Sequence, residues 1–363
     1  LGEYHEAVEI LSALAGRGQL KSSHLNLLAL ILGRELGEFE RACTVLTKLL
    51  EREPGSVAAI TNLAFILLDN GRYQEGFRLI DEVLRVCPGD PEALLIRSCM
   101  RLKSGDFHTG WNDYGARFQS KSAIPRPYNF PVWNGGPTRN ETLLIYAEQG
   151  IGDQIMFANC IPDVLKLTES VVIECHRNLV ALFARSFPGA RIQPLVPAGE
   201  EPRWVSEQRD PFLQIAMGDL PGYFRRKWED FPRHHGYLKA SDEKVNQWKR
   251  RLNALGPGPK IGISWRGGLQ ASRAHLRSIS IETITSFASL PCKFISLQYG
   301  NVERDIERAN QAGSPWLTHW QDAIDDYDET AALVMALDGV VSVCTSLIHL
   351  TGALGQKIGR AHV

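Results

Sequence analysis

Leu143-Leu-Ile-Tyr-Ala-Glu-Gln-Gly-Ile-Gly-Asp-Gln-Ile-Met-Phe-Ala158 is the stretch on which the reading of the whole chain turns. Leu143 to Ala147 is a short apolar run of the length of a buried strand. Gly150 and Gly152 then offer a tight turn, because glycine takes positive φ and lets a ligand approach the backbone. Beyond Asp153 the apolar residues Ile155, Met156, Ala158 and Ile161 fall at helical spacing, so a helix is expected to open at the turn. A strand, a glycine turn and a helix N-terminus make a place where backbone N–H groups and the helix dipole favour negative charge. Asp153 in the first turn is then either a helix cap or a carboxylate held at the mouth of a crevice as a general base.

Working outward towards the C-terminus, the alternation continues. Thr142–Ala147 reads as a strand and Asp153–Leu167 as a helix, and Ser170–Cys175 with Asn178–Phe187 repeats the pair. Strands follow near Arg191–Val196 and Phe212–Ala216, and helices at Gly218–Asp230 and Ser241–Leu255. Gly256-Pro-Gly-Pro259 reads as a hinge or boundary. A second series has strands at Lys260–Trp265, Lys293–Gln298, Trp316–Trp320 and Gly339–Val343. Its helices are Ile281–Leu290, Val302–Ala312, Glu329–Leu337 and Thr345–Leu354. Such alternation means parallel sheets covered by helices, and two of them in tandem place a ligand at the ends of their strands.

Towards the N-terminus the pattern is different. Gly2-Glu-Tyr4, Gly37-Glu-Phe39, Gly71-Arg-Tyr73 and Gly105-Asp-Phe107 recur at offsets of 35, 34 and 34 residues, with Pro54 and Pro88 on the same period. Two amphipathic segments lie between successive marks, for example Ala58–Asn70 and Tyr73–Val86. This is similar to the tetratricopeptide repeat, a helix–turn–helix unit that stacks into a solenoid. Leu1 to about Gln19 reads as the second helix of a cut repeat. The repeats end near Trp111–Tyr114 and Arg117-Phe118. An aperiodic linker rich in proline and glycine follows (Pro125, Pro127, Pro131, Gly135, Gly136, Pro137), with Trp133 expected to fold back onto the next domain.

A formal net charge of −1 gives no global attraction for nucleic acid or anionic membrane. The local basic run Arg225-Arg-Lys227 with Arg233-His-His235 reads as a solvated face. The seven cysteines are scattered with no C-x-x-C pair, which argues for free thiols in a reducing, cytoplasmic compartment and against a zinc site. No stretch reads as a membrane span, since the most apolar region, Ala331 to Leu354, is broken by Asp338 and His349.

Taken with the glycine loop, Ser264-Trp-Arg-Gly-Gly268, Arg277-Ser-Ile279, Ser296-Leu-Gln298, Thr330-Ala-Ala-Leu333 and Ser342-Val-Cys-Thr-Ser-Leu-Ile-His-Leu-Thr-Gly-Ala-Leu-Gly355 run in one order. The ordered set resembles the ADP-heptose:lipopolysaccharide heptosyltransferase-like glycosyltransferases, and more closely bacterial proteins that fuse tetratricopeptide repeats to such a domain. The resemblance implies two Rossmann-like domains of GT-B type, with a nucleotide-sugar donor on the second sheet and the acceptor facing the first. It implies Asp153 as the base that takes the acceptor proton. Arg266 and Arg277 are the choices for donor-phosphate contacts, arginine offering a planar fork matched to phosphate oxygens. Thr345 and Ser346 open a helix straight after a buried strand, where hydroxyl and N–H groups can cradle a phosphate, and His349 lies one turn on. Each has a plain alternative: an ion pair for the arginines, a cap for Thr345, a satisfied core histidine for His349. Cys344 stands where many relatives of this kind carry Asp, which leaves the donor open. Asp326-Tyr-Asp328 matches a metal-binding Asp-x-Asp pattern, but capping of the following helix explains it, and no metal or cofactor is expected.

The fold class expected is therefore an α-solenoid followed by α/β. Its parts are repeats at 1–118, a linker at 119–140, an acceptor-side Rossmann-like domain at 141–240, a connecting helix and hinge at 241–259, and a nucleotide-sugar domain at 260–356. The function expected is metal-independent transfer of a hexosyl or heptosyl group to a protein, peptide or saccharide acceptor, with a possible protein partner on the repeats. The alternative is a non-catalytic scaffold with a degenerate nucleotide-binding domain. Lys357-Ile-Gly-Arg-Ala-His-Val363 resembles the translation of a common sequencing adapter, and the chain starts at Leu1, so a gene fragment cut at both ends is expected. The second sheet would then lack a strand, leaving its neighbour's N–H and C=O groups unpaired and the chain aggregation-prone or weak in donor binding.

Overall fold

The computed structural model describes residues 2–17, 20–120, 128–197, 200, 202–206, 212–233, 235–267, 277–311 and 315–360. Pro125, Pro127, His234, Gly268, Ala312 and 361–363, all named above, lie outside them. The chain divides into two compact units, residues 1–125 with 225–231, and residues 126–224 with 232–363.

The first unit is helical. It runs α1 (Gly2–Gly16), α2 (Ser22–Leu30, continued by a π turn Ile31–Glu35), α3 (Phe39–Arg52), α4 (Val57–Asp69), α5 (Tyr73–Val86), α6 (Pro91–Lys103) and α7 (Phe107–Tyr114). The pairs α2/α3, α4/α5 and α6/α7 turn at Gly37, Gly71 and Gly105, whose φ values of 71°, 74° and 85° are left-handed and suit glycine. The second helices of the first two pairs stop two residues before Pro54 and Pro88. Buried Leu28, Leu46, Leu49, Ile66, Ile80 and Met100 fill the seams between helices. One expectation fails in part here: Lys227, Arg233 and His235 are exposed as expected, but the start of the basic run is not. Arg225 of the supposed solvated basic run is buried, its carbonyl accepts from Trp111 Nε1 (2.9 Å), and Arg226 Nη2 donates to the His108 carbonyl (2.6 Å). Trp228 packs edge-on against Phe107. Arg225 and Arg226 are thus held by groups of α7 that are distant in sequence.

The second unit holds two parallel sheets. The first contains β1 (Thr142–Tyr146), β2 (Val171–Cys175), β3 (Arg191–Pro194) and β4 (Phe212–Ala216) in the order β3-β2-β1-β4. Its helices are α8 (Ile151–Phe157), α9 (Ile161–Val164), α10 (Val180–Ser186), α11 (Arg203–Ser206) and α12 (Pro221–Phe224). The long helix expected after β1 is interrupted by a 3-10 turn, Ala158–Cys160, because Pro162 has no N–H to continue the helical ladder. The helix expected over Gly218–Asp230 is reduced to α12 and two 3-10 turns, its later part being the segment that docks on α7. As the linker reading expected, Trp133 is buried in this unit. Its N–H donates to the Gln214 carbonyl and Gln214 N–H donates to the Pro131 carbonyl, both at 2.9 Å.

After α13 (Asp242–Asn253) comes the second sheet: β5 (Lys260–Ser264), β6 (Lys293–Ser296), β7 (Leu317–His319), β8 (Gly339–Ser342) and β9 (Ile358–Arg360), in the order β7-β6-β5-β8-β9. Its helices are α14 (Ile281–Thr285), α15 (Glu303–Asn310), α16 (Gln321–Asp325), α17 (Tyr327–Ala336) and α18 (Ser346–Ala353). Trp248 Nε1 on α13 donates to Glu329 on α17 (2.9 Å), so α13, before the turn at 256–259, is bound to a helix of the second sheet. The edge of β8 is not left open as expected: Ile358, Gly359 and Arg360 pair with Val340, Val341 and Ser342. Main-chain pairing asks only for an extended segment at that edge.

Candidate active site

Both sheets share one topological feature. The chain lays down β1, β2 and β3 in one direction, then crosses back to put β4 on the other side of β1. The second sheet does the same, with β8 on the far side of β5. At such a switch point the loops leaving adjacent strands part, and a crevice opens outside their carboxyl ends. The loops that follow β1, β5 and β8 carry Gly150 to Asp153, Arg266 with Gly267, and Cys344 to Ser346.

The helices leaving two of these loops cross closely. Gly150 is the N-cap of α8 with φ −65°, and neither it nor Gly152 has the positive φ expected from the sequence. The reason for glycine at 152 is space. A Cβ there would stand 3.2 Å from His349 Cδ2 and 3.3 Å from Ser346 Cα, both on α18. Asp153, in the first turn of α8, thus lies beside His349. Burial raises the Asp153 carboxyl above its ordinary range; the His349 charge and the backbone N–H groups of Gly150 and Asp153 oppose the shift. Asp153 therefore serves its helix terminus and faces the histidine at once. Gly152, Asp153, Ser346 and His349 meet where a helix from each sheet crosses the other.

Arg266, Arg277 and Thr345 gather next to this crossing. A Cβ on Gly267 would lie 2.9 Å from the Arg277 carbonyl, 3.0 Å from that of Cys344 and 3.2 Å from Thr345 Cγ2. The Arg277 segment returns to the β5 loop through Ile279 N–H to the Trp265 carbonyl (2.8 Å). Thr345 does cap α18, its hydroxyl accepting from Leu347 N–H at 3.2 Å. Ser346 lies against the buried hydroxyl of Tyr327, which burial pushes up to about 12 while the serine pulls the other way. Arg266 is engaged by protein groups. Its Nη2 donates to the Asn301 carbonyl (2.7 Å), and Nε lies 3.1 Å from Asp305 Oδ2 as an ion pair without hydrogen-bond geometry.

Asp326 and Asp328 stand elsewhere. Asp326 caps α17 by accepting from Asp328 N–H (2.9 Å), Asp328 is buried in an ion pair with Arg185 of α10, and Lys244 Nζ lies 3.2 and 3.1 Å from the two carboxylates. Among the described residues no group of three or more His, Cys, Asp or Glu is placed to hold a metal ion. None of the seven cysteines forms a disulfide, and burial with Glu174 alongside pushes Cys175 up to about 12, an inert thiol. No helix among the described residues is long and apolar enough to cross a membrane. A polar groove of about 730 Å³ lined by Thr138, Arg139, Glu141, Lys166 and Glu169 opens at the amino ends of the strands, away from the switch points.

Two buried glutamines were not picked out as site residues. Gln154 Nε2 donates to the Gln149 carbonyl (2.9 Å) and its Oε1 accepts from His176 N–H (2.8 Å), tying the β1 loop to the end of β2. Gln298 ties the β5 loop to the end of β6. The sequence signal was present: a polar amide at the end of an apolar strand, or straight after the glycine loop, needs buried partners.

The fold and site define a helical-repeat protein that carries two Rossmann-like parallel sheets, with charged residues gathered at their switch points. No family model matches the chain. It is 30% identical over 378 residues to protein FlbA of Caulobacter vibrioides, an alignment that covers 99% of this chain and 63% of that protein. The chain thus spans less than two thirds of that relative. Among solved structures it has likeness to a glycosyl transferase family 9 protein from Veillonella parvula. That match has 9% identity and a TM-score of 0.48, over 62% of this chain and 83% of the other. An O-GlcNAc transferase mutant from Thermobaculum terrenum matches at 14% identity and a TM-score of 0.33, over 98% and 82%. These structural likenesses are remote.

Proposed function

We propose that this chain is a glycosyltransferase of GT-B type that moves a hexosyl or heptosyl group from a nucleotide-sugar donor to an acceptor hydroxyl. The observation that carries this reading is the meeting of Asp153 with His349 where the two switch-point helices cross. Glycosyl transfer requires a base for the acceptor proton and fixed cations or dipoles for the leaving diphosphate. Asp153 is the base. Its burial raises its proton affinity towards that of a working general base, and the adjacent His349 keeps the ionised form accessible. Arg266, Arg277, Thr345, Ser346 and the N-terminus of α18 receive the diphosphate. His349 reaches the donor from the same helix. The reaction uses no metal: the Asp-x-Asp pair is committed to Lys244, Arg185 and its own helix cap. The helical repeats present the acceptor, a protein, peptide or saccharide, or seat a protein partner. The free thiols fit a cytoplasmic setting.

Thermal shift with ADP, UDP, GDP and CDP, followed by hydrolysis of the matching sugar donors, tests the reading. A stabilising nucleotide together with slow donor hydrolysis is expected. Stabilisation with no hydrolysis or transfer from any donor would instead mark the chain as a nucleotide-binding scaffold.

A further inference from the structure

Gln298 lies two residues beyond the end of β6, with 1% of its surface exposed. Its Oε1 accepts from Ser264 Oγ (3.0 Å), Trp265 N–H (2.9 Å) and Arg266 N–H (2.8 Å). Its Nε2 donates to the Arg266 carbonyl (3.0 Å) and the Tyr299 carbonyl (3.3 Å). A side-chain amide has two donors and two lone pairs, so its capacity is fully used. One side chain thereby holds both polar backbone groups of Arg266. The guanidinium is fixed separately by the Asn301 carbonyl and by Asp305, and Asp305 is itself held by Trp265 Nε1 at 3.0 Å. The Arg266 side chain still keeps 43% of its surface open. An arginine needed only for solubility requires no such restraint on its main chain. A buried amide with every bond satisfied removes the freedom that a ligand would otherwise have to freeze out.

We infer that Gln298 is a positioning residue for the donor site, acting through Arg266 so that the guanidinium meets a nucleoside diphosphate without reorganisation. This rests on the reading of Arg266 as a donor-phosphate contact.

The test is a double-mutant cycle on the full chain, read by calorimetric titration with ADP, UDP, GDP and CDP. Gln298→Met keeps the volume and removes every polar bond; it is expected to weaken the preferred nucleotide about tenfold, the equivalent of one lost hydrogen bond of about 1.4 kcal/mol. In an Arg266→Ala background the same change is expected to cost less than about twofold, because the two residues act as one unit. Should the methionine variant not fold, Gln298→Glu keeps the three accepted bonds, loses the two donated ones, and is expected to show the same non-additivity. Equal losses in both backgrounds would make Gln298 a structural residue and overturn the inference. Wild-type affinity in the Gln298 variants would overturn it too while sparing the donor site. No nucleotide binding by the wild-type chain would remove the reading of the site and this inference together.

Discussion

His349 covers Gly152 so closely that a single methyl group on residue 152 would stand 3.2 Å from the imidazole Cδ2. The next nearest atom is the Cα of Ser346, at 3.3 Å. Backbone cannot swing aside as a flexible side chain can, so the spacing of α8 and α18 is set by this glycine. The same spacing puts Asp153 within electrostatic reach of His349.

Gly152→Ala is expected to disturb function more than stability. Overpacking costs about 1–3 kcal/mol, while replacing glycine inside a helix returns about 1 kcal/mol. A net loss of about 0–2 kcal/mol follows, visible in urea unfolding. Turnover should fall by about tenfold or more as the Asp153–His349 geometry shifts. A variant with both wild-type stability and wild-type turnover would mean that the helices do not meet this way in the working protein.

Asp153→Asn should abolish most turnover, by about 100-fold or more, because the proposed base is gone. Its effect on stability carries a sign. Burial raises the Asp153 carboxyl in the folded state, so its protonated form is favoured there, and stability is lost as pH rises from the ordinary carboxylate range through the raised value. At neutral pH the asparagine variant should therefore be as stable as the wild type or more so, and that advantage should vanish below the ordinary range. Unfolding midpoints at pH 3.5 and pH 7, as approximate set points around the ordinary carboxylate value, check this. A variant clearly less stable at neutral pH would contradict it.

Tyr237 donates its hydroxyl to the Ile155 carbonyl of α8 at 2.8 Å, and its N–H and that of Leu238 both donate to the Ala353 carbonyl of α18. Tyr237→Phe should cost about 1 kcal/mol for the one hydrogen bond removed. Burial, with Cys160 alongside, raises the phenol above its ordinary value. The contribution should thus hold steady across neutral pH and decline only above the ordinary tyrosine value of about 10. Urea midpoints measured against pH would expose a loss at lower pH, which this account does not allow.

Gly355 has φ +77°, and a Cβ there would fall 1.7 Å from the His235 carbonyl oxygen. Gly355→Ala adds left-handed strain of about 1–3 kcal/mol to a backbone clash of at least similar size. A loss of about 2–6 kcal/mol and a clear fall in melting temperature are expected. Melting unchanged within a degree or so would show that the strap at 235–238 does not lie against the end of α18.

The amino-acid sequence by itself determined whatever depends on local periodicity. It placed the repeat glycines 37, 71 and 105, the eight strands from Thr142 to Val343 within a residue or two, and the loops that carry Asp153, Arg266 and Thr345. These were legible because a strand or helix buries one face, and burial writes its period into neighbouring residues. Only the tertiary structure decided which faces meet. Gly152 is explained by α18, which lies nearly two hundred residues away in the chain. Arg225 is buried where its carbonyl meets Trp111 of α7, and Asp328 where it pairs with Arg185 of α10. Gln298 reads as one more polar residue until five bonds converge on it. Such contacts carry no local period, because the spacing between partners reflects chain connectivity while the energy reflects only distance and desolvation once the chain has folded.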